Sequence, residues 1–259
     1  MSRNPVDFFG NDKYTFSKKC LESLRTALSG LTFKMYTILD NCPNEYEKLF
    51  TDLFPIENLK IIHTSLGNKG TFKKQIEILS NQNDSNIVYF AEDDYFYLKD
   101  LKNMVDFIKS KKADFVTPYE HPACYTDGHI IKNEEVIFEG QKYLTVQHAC
   151  LTFMTTKENL IKNKRYLLIF SNWFGSDFVV WGTITLGSTY FKYFKLLFNI
   201  KNYSVINFKV YSSMFFFAWH RFIINKKYKL FMPVGSLASH MEKNQLAPGV
   251  DWNKYFLTK

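Results

Sequence analysis

Three consecutive acids, Glu92, Asp93 and Asp94, follow the charge-free run Ile87 to Phe90 in the stretch NIVYFAEDDYFY. Carboxylates this close repel one another, and gathering them away from water is costly. A divalent cation removes that cost. Ligands that are all oxygen point to a hard ion, Mg2+ or Mn2+, which commonly also holds a phosphate of its substrate. The competing reading is a solvated acidic loop capping the next helix. Asp177, in Phe174-Gly175-Ser176-Asp177-Phe178, stands where a helix should begin. A carboxylate there can take a proton from a hydroxyl, or it can be an ordinary first-turn acid facing the helix dipole. His240, in Leu237-Ala238-Ser239-His240-Met241-Glu242, is a lone histidine, a type more often structural than ligating. His121, His129 and His148 have no ligand spacing among themselves and are assigned no chemistry.

Ile87 to Phe90 are β-branched and aromatic, as suits a strand buried on both faces of a parallel sheet. Ligand sites in open α/β sheets lie beyond the carboxyl ends of the strands. Upstream, Cys20, Leu21, Leu24 and Leu28 make an apolar stripe on a helix from Phe16 to Leu28, with Ser17 as its N-cap. Phe33 to Leu39 reads as a strand ending at Asp40, and Pro43 fits the first position of the next helix. Leu59 to His63 is a short strand. Gly67-Asn68-Lys69-Gly70 then leads into a helix capped by Thr71 and carrying Phe72, Ile76 and Leu79. Leu101 to Ile108 reads as a helix and Asp114 to Thr117 as a strand. Strands spaced by helices predict a parallel sheet with crossovers. Its first strand should precede Phe16, where Ser2 to Phe9 is a poor candidate.

The second half reads differently. Val136 to Phe153 predicts two β pieces around Gly140, Asp177 to Leu186 a helix and Lys229 to Pro233 a late strand. No repeat or low-complexity linker divides the chain, so residues 1–259 are read as one domain with lobes 1–118 and 119–259. A hydrophobic content of 46% against 22% charged excludes a disordered chain, and a net charge of +8 favours anionic partners. Aromatics at 18% suggest a ring-lined cleft or an interfacial surface besides a core. Four scattered cysteines without CxxC spacing argue against a zinc knuckle or a disulfide framework and for a reducing, cytoplasmic setting. The N-terminus lacks the apolar core of a signal peptide. Tyr166 to Leu186 is the most apolar window, but Asn172 and Asp177 interrupt it, which predicts buried structure rather than a membrane span. The Lys/Phe-rich run from Tyr190 to Lys229 reads either as core with a solvated basic face or as a surface resting on a membrane.

The order of these segments, from Phe16 to about Trp252, resembles the GT-A glycosyltransferases, especially the inverting, family-2-like kind with a DxD-type motif. The resemblance implies an α/β GT-A fold. Its central sheet would be mostly parallel and flanked by helices, with a smaller mixed sheet on the acceptor side. Residues 1–118 would bind the nucleotide-sugar and 119–259 the acceptor. Glu92-Asp93-Asp94 looks like the DxD motif with Glu for the first Asp. That implies Asp94 as metal ligand and Glu92 or Asp93 for the ribose or a metal-bound water. Asp40, with Asn41 after it, stands where the family keeps an acid that accepts the base's N–H. A helix cap ahead of Pro43 is an equal alternative for it. Gly67 to Gly70 is similar to the family's Asn-x-Gly loop over the nucleotide, implying Asn68 and Gly70 there, with Lys69, Lys73 or Gln75 as a further donor. Asp177 is implied as the base, with Trp173 and Trp181 beside it packing on sugar or in the core. His240 resembles a late histidine returned to the metal, and Leu246 to Trp252 a loop that closes over the donor.

The implied activity needs Mn2+ or Mg2+. A sugar moves from a nucleoside diphosphate donor, UDP-linked, to a hydroxyl of a carbohydrate acceptor with inversion, in polysaccharide or glycoprotein glycan synthesis. A lipid-linked acceptor would suit peripheral contact with the inner face of a membrane, and nucleic acid is not an expected partner. Two rivals stand beside this reading. A sugar-phosphate nucleotidyltransferase would need a glycine-rich N-terminal loop with Arg and Lys, and Gly10 alone does not supply one. A non-enzymatic binder of nucleic acid or acidic glycan would use the +8 charge, but the basic residues are dispersed rather than set among stacking aromatics.

Overall fold

The computed structural model describes residues 12–125, 134–147, 149–171, 176–185 and 227–256, with isolated positions 212, 216 and 219. The chain opens with α1 (Lys13–Ala27), β1 (Met35–Asp40), α2 (Glu45–Leu53), β2 (Leu59–Thr64), α3 (Gly67–Asn81), β3 (Ile87–Phe90) and β4 (Tyr95–Tyr97). It continues through α4 (Lys102–Lys109), β5 (Phe115–Val116), the hairpin β6 (Glu135–Phe138) and β7 (Gln141–Val146), β8 (Phe153–Thr156), α5 (Lys157–Leu167) and α6 (Asp177–Thr185). Strands β9 (Leu230–Pro233) and β10 (Ala238–His240) and the short helix α7 (Asn253–Phe256) follow.

The molecule is α/β, but its central sheet is mixed. Its order is β3-β8-β5-β9-β7-β6, and β5/β9 is its one parallel pair among the described residues. The mostly parallel sheet expected from sequence is therefore corrected. Strands β3 and β5 do point the same way, but β8 runs back between them and pairs antiparallel with both. The parallel pair β1/β2 forms a separate ladder, and no described strand joins it to β3. The sheet draws on both halves of the chain, since β3 and β5 pair with β8 and β5 with β9.

Alternation along the strands builds two cores, one on each face of the sheet. Val88, Phe90, Phe115, Phe153, Leu230 and Met232 turn to one face, where Phe72 and Ile76 of α3, Leu160 of α5 and Trp181 of α6 meet them. Val116, Met154 and Phe231 turn to the other, against Leu21 and Leu24 of α1 and Met104 and Phe107 of α4. Strand β3 is thus covered on both sides, as its composition predicts. Helices start where local chemistry satisfies their free N–H groups. Asp12 caps α1, accepting from the N–H groups of Tyr14 at 3.0 Å and Thr15 at 3.3 Å, while Ser17, the expected cap, is buried inside the helix. Helix α3 begins at Gly67, not after Thr71, whose hydroxyl donates to the Asn68 carbonyl at 2.8 Å.

Phe153 sits at the centre of the first core, fully buried, stacked on Phe90 at 4.5 Å and edge-on to Trp181 at 4.9 Å. Replacing it with Ala leaves a cavity bounded by β3, β5 and α6, none of which can close without breaking the ladder. Phe153→Ala should cost about 3–5 kcal/mol in a urea denaturation of the purified chain. A loss within the error of the wild-type value would mean that this core is not packed as described.

Candidate active site

Strands β3, β5 and β9 run in one direction, so their carboxyl ends meet at one edge of the sheet with the amino end of β8. Glu92 to Asp94 leave β3 there, Tyr119 and Glu120 leave β5, and Thr152 precedes β8. The chain then does something the sequence gives little sign of. Beyond the acids it forms β4, and after β9 it returns as β10, antiparallel to β4, with His240 opposite Tyr95. The Met241 N–H donates to the Asp94 carbonyl at 2.9 Å. This pairing carries His240 to Asp94 across 146 residues.

Asp94 is 6% exposed. Its Oδ2 lies 3.1 Å from His240 Nε2, while its Oδ1 is buried with no hydrogen-bond partner. His240 Nδ1 lies 3.0 Å from Gln245 Oε1, and the ring stacks on Tyr95 at 5.1 Å. Burial alone would push the His240 pKa down; the bond to Asp94, then its charge, carry it up to about 9. Glu92 is partly buried and accepts from the Thr152 hydroxyl at 3.0 Å. Burial, with the charge of Asp94 added, pushes Glu92 up to about 7. Asp93 is exposed and turns toward the end of β1, where its charge helps raise the Cys42 thiol, itself raised first by burial.

Asp177 is the first residue of α6 and accepts from the Phe178 N–H at 2.8 Å. Burial raises its pKa, and the charge of His240 reaches it. Cys150 marks the middle of the group: its thiol is raised by burial and then by the charges of Glu92, Asp177 and Asp94. The fold therefore brings Glu92, Asp94, Asp177 and His240 into one neighbourhood. Trp181 is fully buried in the core, its indole N–H donating to the Cys150 carbonyl at 3.3 Å, so it is not a surface for sugar. Trp173, His129 and His148 lie outside the described residues, as does most of the run from Tyr190 to Lys229.

Asp40 has a structural task. It accepts from the Thr64 hydroxyl at 2.8 Å and from the N–H groups of Leu66 at 2.5 Å and Gly67 at 2.9 Å. Those three bonds hold its carboxyl below the usual range even though burial pulls the other way. It caps α3 and not the helix after Pro43, whose N-cap position is Asn44. Asn41 sits in the left-handed region at φ 51° and extends the β1/β2 ladder through its N–H to the Thr64 carbonyl. Asn68 and Gly70 lie in the first turn of α3 and Gln75 further along it. Gly70 is explained by packing, since a Cβ there would meet the Leu66 Cβ at 2.6 Å.

Two residues that the sequence did not flag hold the edge together. Glu120 is buried and accepts from the N–H groups of Gly235 at 2.8 Å and Ser236 at 3.2 Å and from the Tyr125 hydroxyl, fixing the turn between β9 and β10. The Tyr119 hydroxyl donates to the Gln245 carbonyl.

The edge offers a hard cation a fit. Asp94 Oδ1 lacks a partner, Asp94 Oδ2 and His240 Nε2 point at one another, and Glu92 lies close by. Among the described residues no group of three or more His, Cys, Asp or Glu side chains is placed to hold a metal ion. The chain matches no protein-family model and no curated protein sequence.

The shift at Glu92 has a testable sign. Between its ordinary value of 4.5 and about 7 the folded chain keeps a proton that the unfolded chain has lost, so stability falls as pH rises through that window. The His240 imidazolium has the same sign in a higher window, because its folded-state value is raised too. Its contribution is complete below its ordinary value of 6.5 and is lost as pH climbs through about 9. In metal-free buffer, Glu92→Gln should gain about 1–3 kcal/mol on the wild type between about pH 5 and about pH 8, read from denaturant midpoints. An equal difference at both pH values would show that Glu92 is not desolvated.

Proposed function

We propose that the chain is a metal-dependent glycosyltransferase of the GT-A kind, moving a sugar from a nucleoside diphosphate donor to a carbohydrate hydroxyl. One observation carries the reading: the buried, half-satisfied carboxylate of Asp94, shared with His240 at the carboxyl edge of the sheet. An unpaired buried carboxylate oxygen is expensive, and sites retain such a cost where a ligand relieves it. The position of the acids just past β3 agrees with where open α/β sheets bind nucleotides.

Asp94 and His240 would hold Mn2+ or Mg2+, with Glu92 or Asp93 on a metal-bound water or the ribose. When bound, such an ion neutralises the charge that develops on the departing diphosphate. Asp177 does the other half of the work. Its carboxylate takes the proton of the acceptor hydroxyl as that oxygen attacks the anomeric carbon, which gives inversion. Burial raises its proton affinity, a useful shift for a base. The amino end of α3, with Asn68 in its first turn and Gln75 beyond, would face the nucleotide, while Asp40 shapes that turn from behind.

The test is UDP release from a panel of UDP-sugars, with Mn2+ and with chelator. Asp94→Asn should lower turnover by about 100-fold or more through loss of the ion. Asp177→Asn should lower it by about 100-fold while Mn2+ affinity stays within about threefold of wild type. Turnover indifferent to chelator removes the metal from the reaction, and full turnover in Asp177→Asn removes that residue as base.

The acceptor side carries a separate charge signal. Residues 178–241 contain eight Lys and Arg and no Asp or Glu, so the remaining 25 basic and 25 acidic residues cancel. Phe216 and Trp219, each helical, are 73% and 53% exposed. Exposed rings in a stretch of sequence that is basic and free of acids match an anionic membrane surface, where a lipid-linked acceptor would be met. Among the described residues no helix is long and apolar enough to cross a membrane. The chain should sediment with phosphatidylserine vesicles and not with pure phosphatidylcholine. Phe216→Ala with Trp219→Ala should weaken that binding by about tenfold or more. Equal binding by the double variant would move the contact elsewhere.

A further inference from the structure

Nε2 is the atom that faces Asp94, and in the metal-free chain it donates its proton to Asp94 Oδ2 at 3.1 Å, so His240 serves a cation only where the ion displaces that proton. A neutral imidazole carries one proton, and the partner of the other nitrogen decides where it sits. That partner is Gln245. Its Oε1 lies 3.0 Å from His240 Nδ1, and an amide oxygen only accepts, so Nδ1 keeps its proton there and the proton on Nε2 is the one a cation can displace. An amide turned end for end would donate to Nδ1 and put the proton on Nε2, the form in which His240 binds no metal.

Gln245 is held in place with some care. Its carbonyl receives the Tyr119 hydroxyl, and its N–H donates to the Glu242 carbonyl at 3.0 Å. Two residues on, the Ala247 N–H donates to the Ser239 hydroxyl at 2.9 Å, tying the loop back to β10 beside His240. The loop after β10 is thus a bracket behind the ring, with Tyr95 stacked on the ring's face. Glu242 Oε2, at 3.8 Å from Nδ1, is too far for a hydrogen bond and leaves Gln245 as the acceptor.

We propose that Gln245 is a positioning residue that fixes the tautomer and tilt of His240, so that Nε2 and the unpaired side of Asp94 are set in advance for one divalent cation. This rests on the metal reading given above, and the experiment separates the two. Mn2+ binding to the full chain is measured by electron paramagnetic resonance of the free ion, with UDP present. Gln245→Met, similar in length but without an acceptor, should bind Mn2+ about 10–100-fold more weakly. Gln245→Ser, too short to reach Nδ1, should show the same loss, and it repeats the test if the Met variant folds poorly. Gln245→Glu restores an acceptor and should bind within about threefold of wild type or more tightly, a rescue that a mere packing role would not give. Wild-type binding with unchanged affinity in Gln245→Met or Gln245→Ser overturns the role of Gln245 alone. No Mn2+ binding by the wild type overturns the metal reading and this inference with it.

Discussion

A carboxylate that the fold buries and only half satisfies sets the terms for everything around it. Asp94 reaches its place because β3 stops and the chain turns into β4, which must pair with something to bury its own backbone groups. The partner is β10, and the register of that pair puts His240 opposite Tyr95, next to Asp94. Ion pairing then lowers the cost of the buried charge without removing it, since Oδ1 stays unpaired. The same buried charge disfavours ionisation of Glu92. Charge repulsion among the acids and the pull of His240 are one balance, and a cation shifts all of it at once.

The rest of the edge keeps that balance in position. Glu120 fixes the turn that launches β10, and Tyr119 pins the loop that follows it. Both residues leave β5, so a two-residue strand in the middle of the sheet controls the geometry on both sides of His240. The arrangement explains why β8 runs against its neighbours. An antiparallel β8 puts its amino end at this edge, and Thr152 there supplies the hydroxyl that Glu92 accepts. A parallel strand would have offered its carboxyl end and the connection into α5 instead.

Much of this was legible in the chain and some was not, for physical reasons. Ile87 to Phe90 and the acids after it announce a buried strand and its charged end, because composition and a sharp change in polarity are local signals. The hairpin around Gly140 and the start of α6 at Asp177 are local in the same sense. The mixed sheet was not legible. In β8, Phe-Met-Thr-Thr runs straight into α5 with Thr156 as its cap, so no turn residue separates strand from helix. Helix α5 is also mostly polar and shows the core little beyond Leu160 and Leu167. That Asp40 caps α3 and not the helix after Pro43 was not legible, because its donors, Leu66 and Gly67, lie 26 and 27 residues away. Glu120 and Gln245 escaped notice for the same reason. Glu120 is explained by Gly235 and Ser236, more than a hundred residues distant, and the Gln245 carbonyl by the equally distant Tyr119 hydroxyl.

The distribution of charge connects the site to the remainder of the chain. Outside residues 178–241 acids and bases cancel in sum, so that stretch, directly after Asp177, carries a charge equal to the whole net excess. If the proposed donor is a diphosphate, a cluster of carboxylates cannot attract it, because without a cation like charges repel. On the glycosyltransferase reading proposed above, the metal would arrive before or with the nucleotide, and the acids would serve to choose it. The basic region has no such conflict. It carries no acid to oppose an anionic surface, and it begins one residue past the proposed base. On the proposed reading, Asp177 stands in the chain directly before this basic region, where it would act on a hydroxyl delivered from that side.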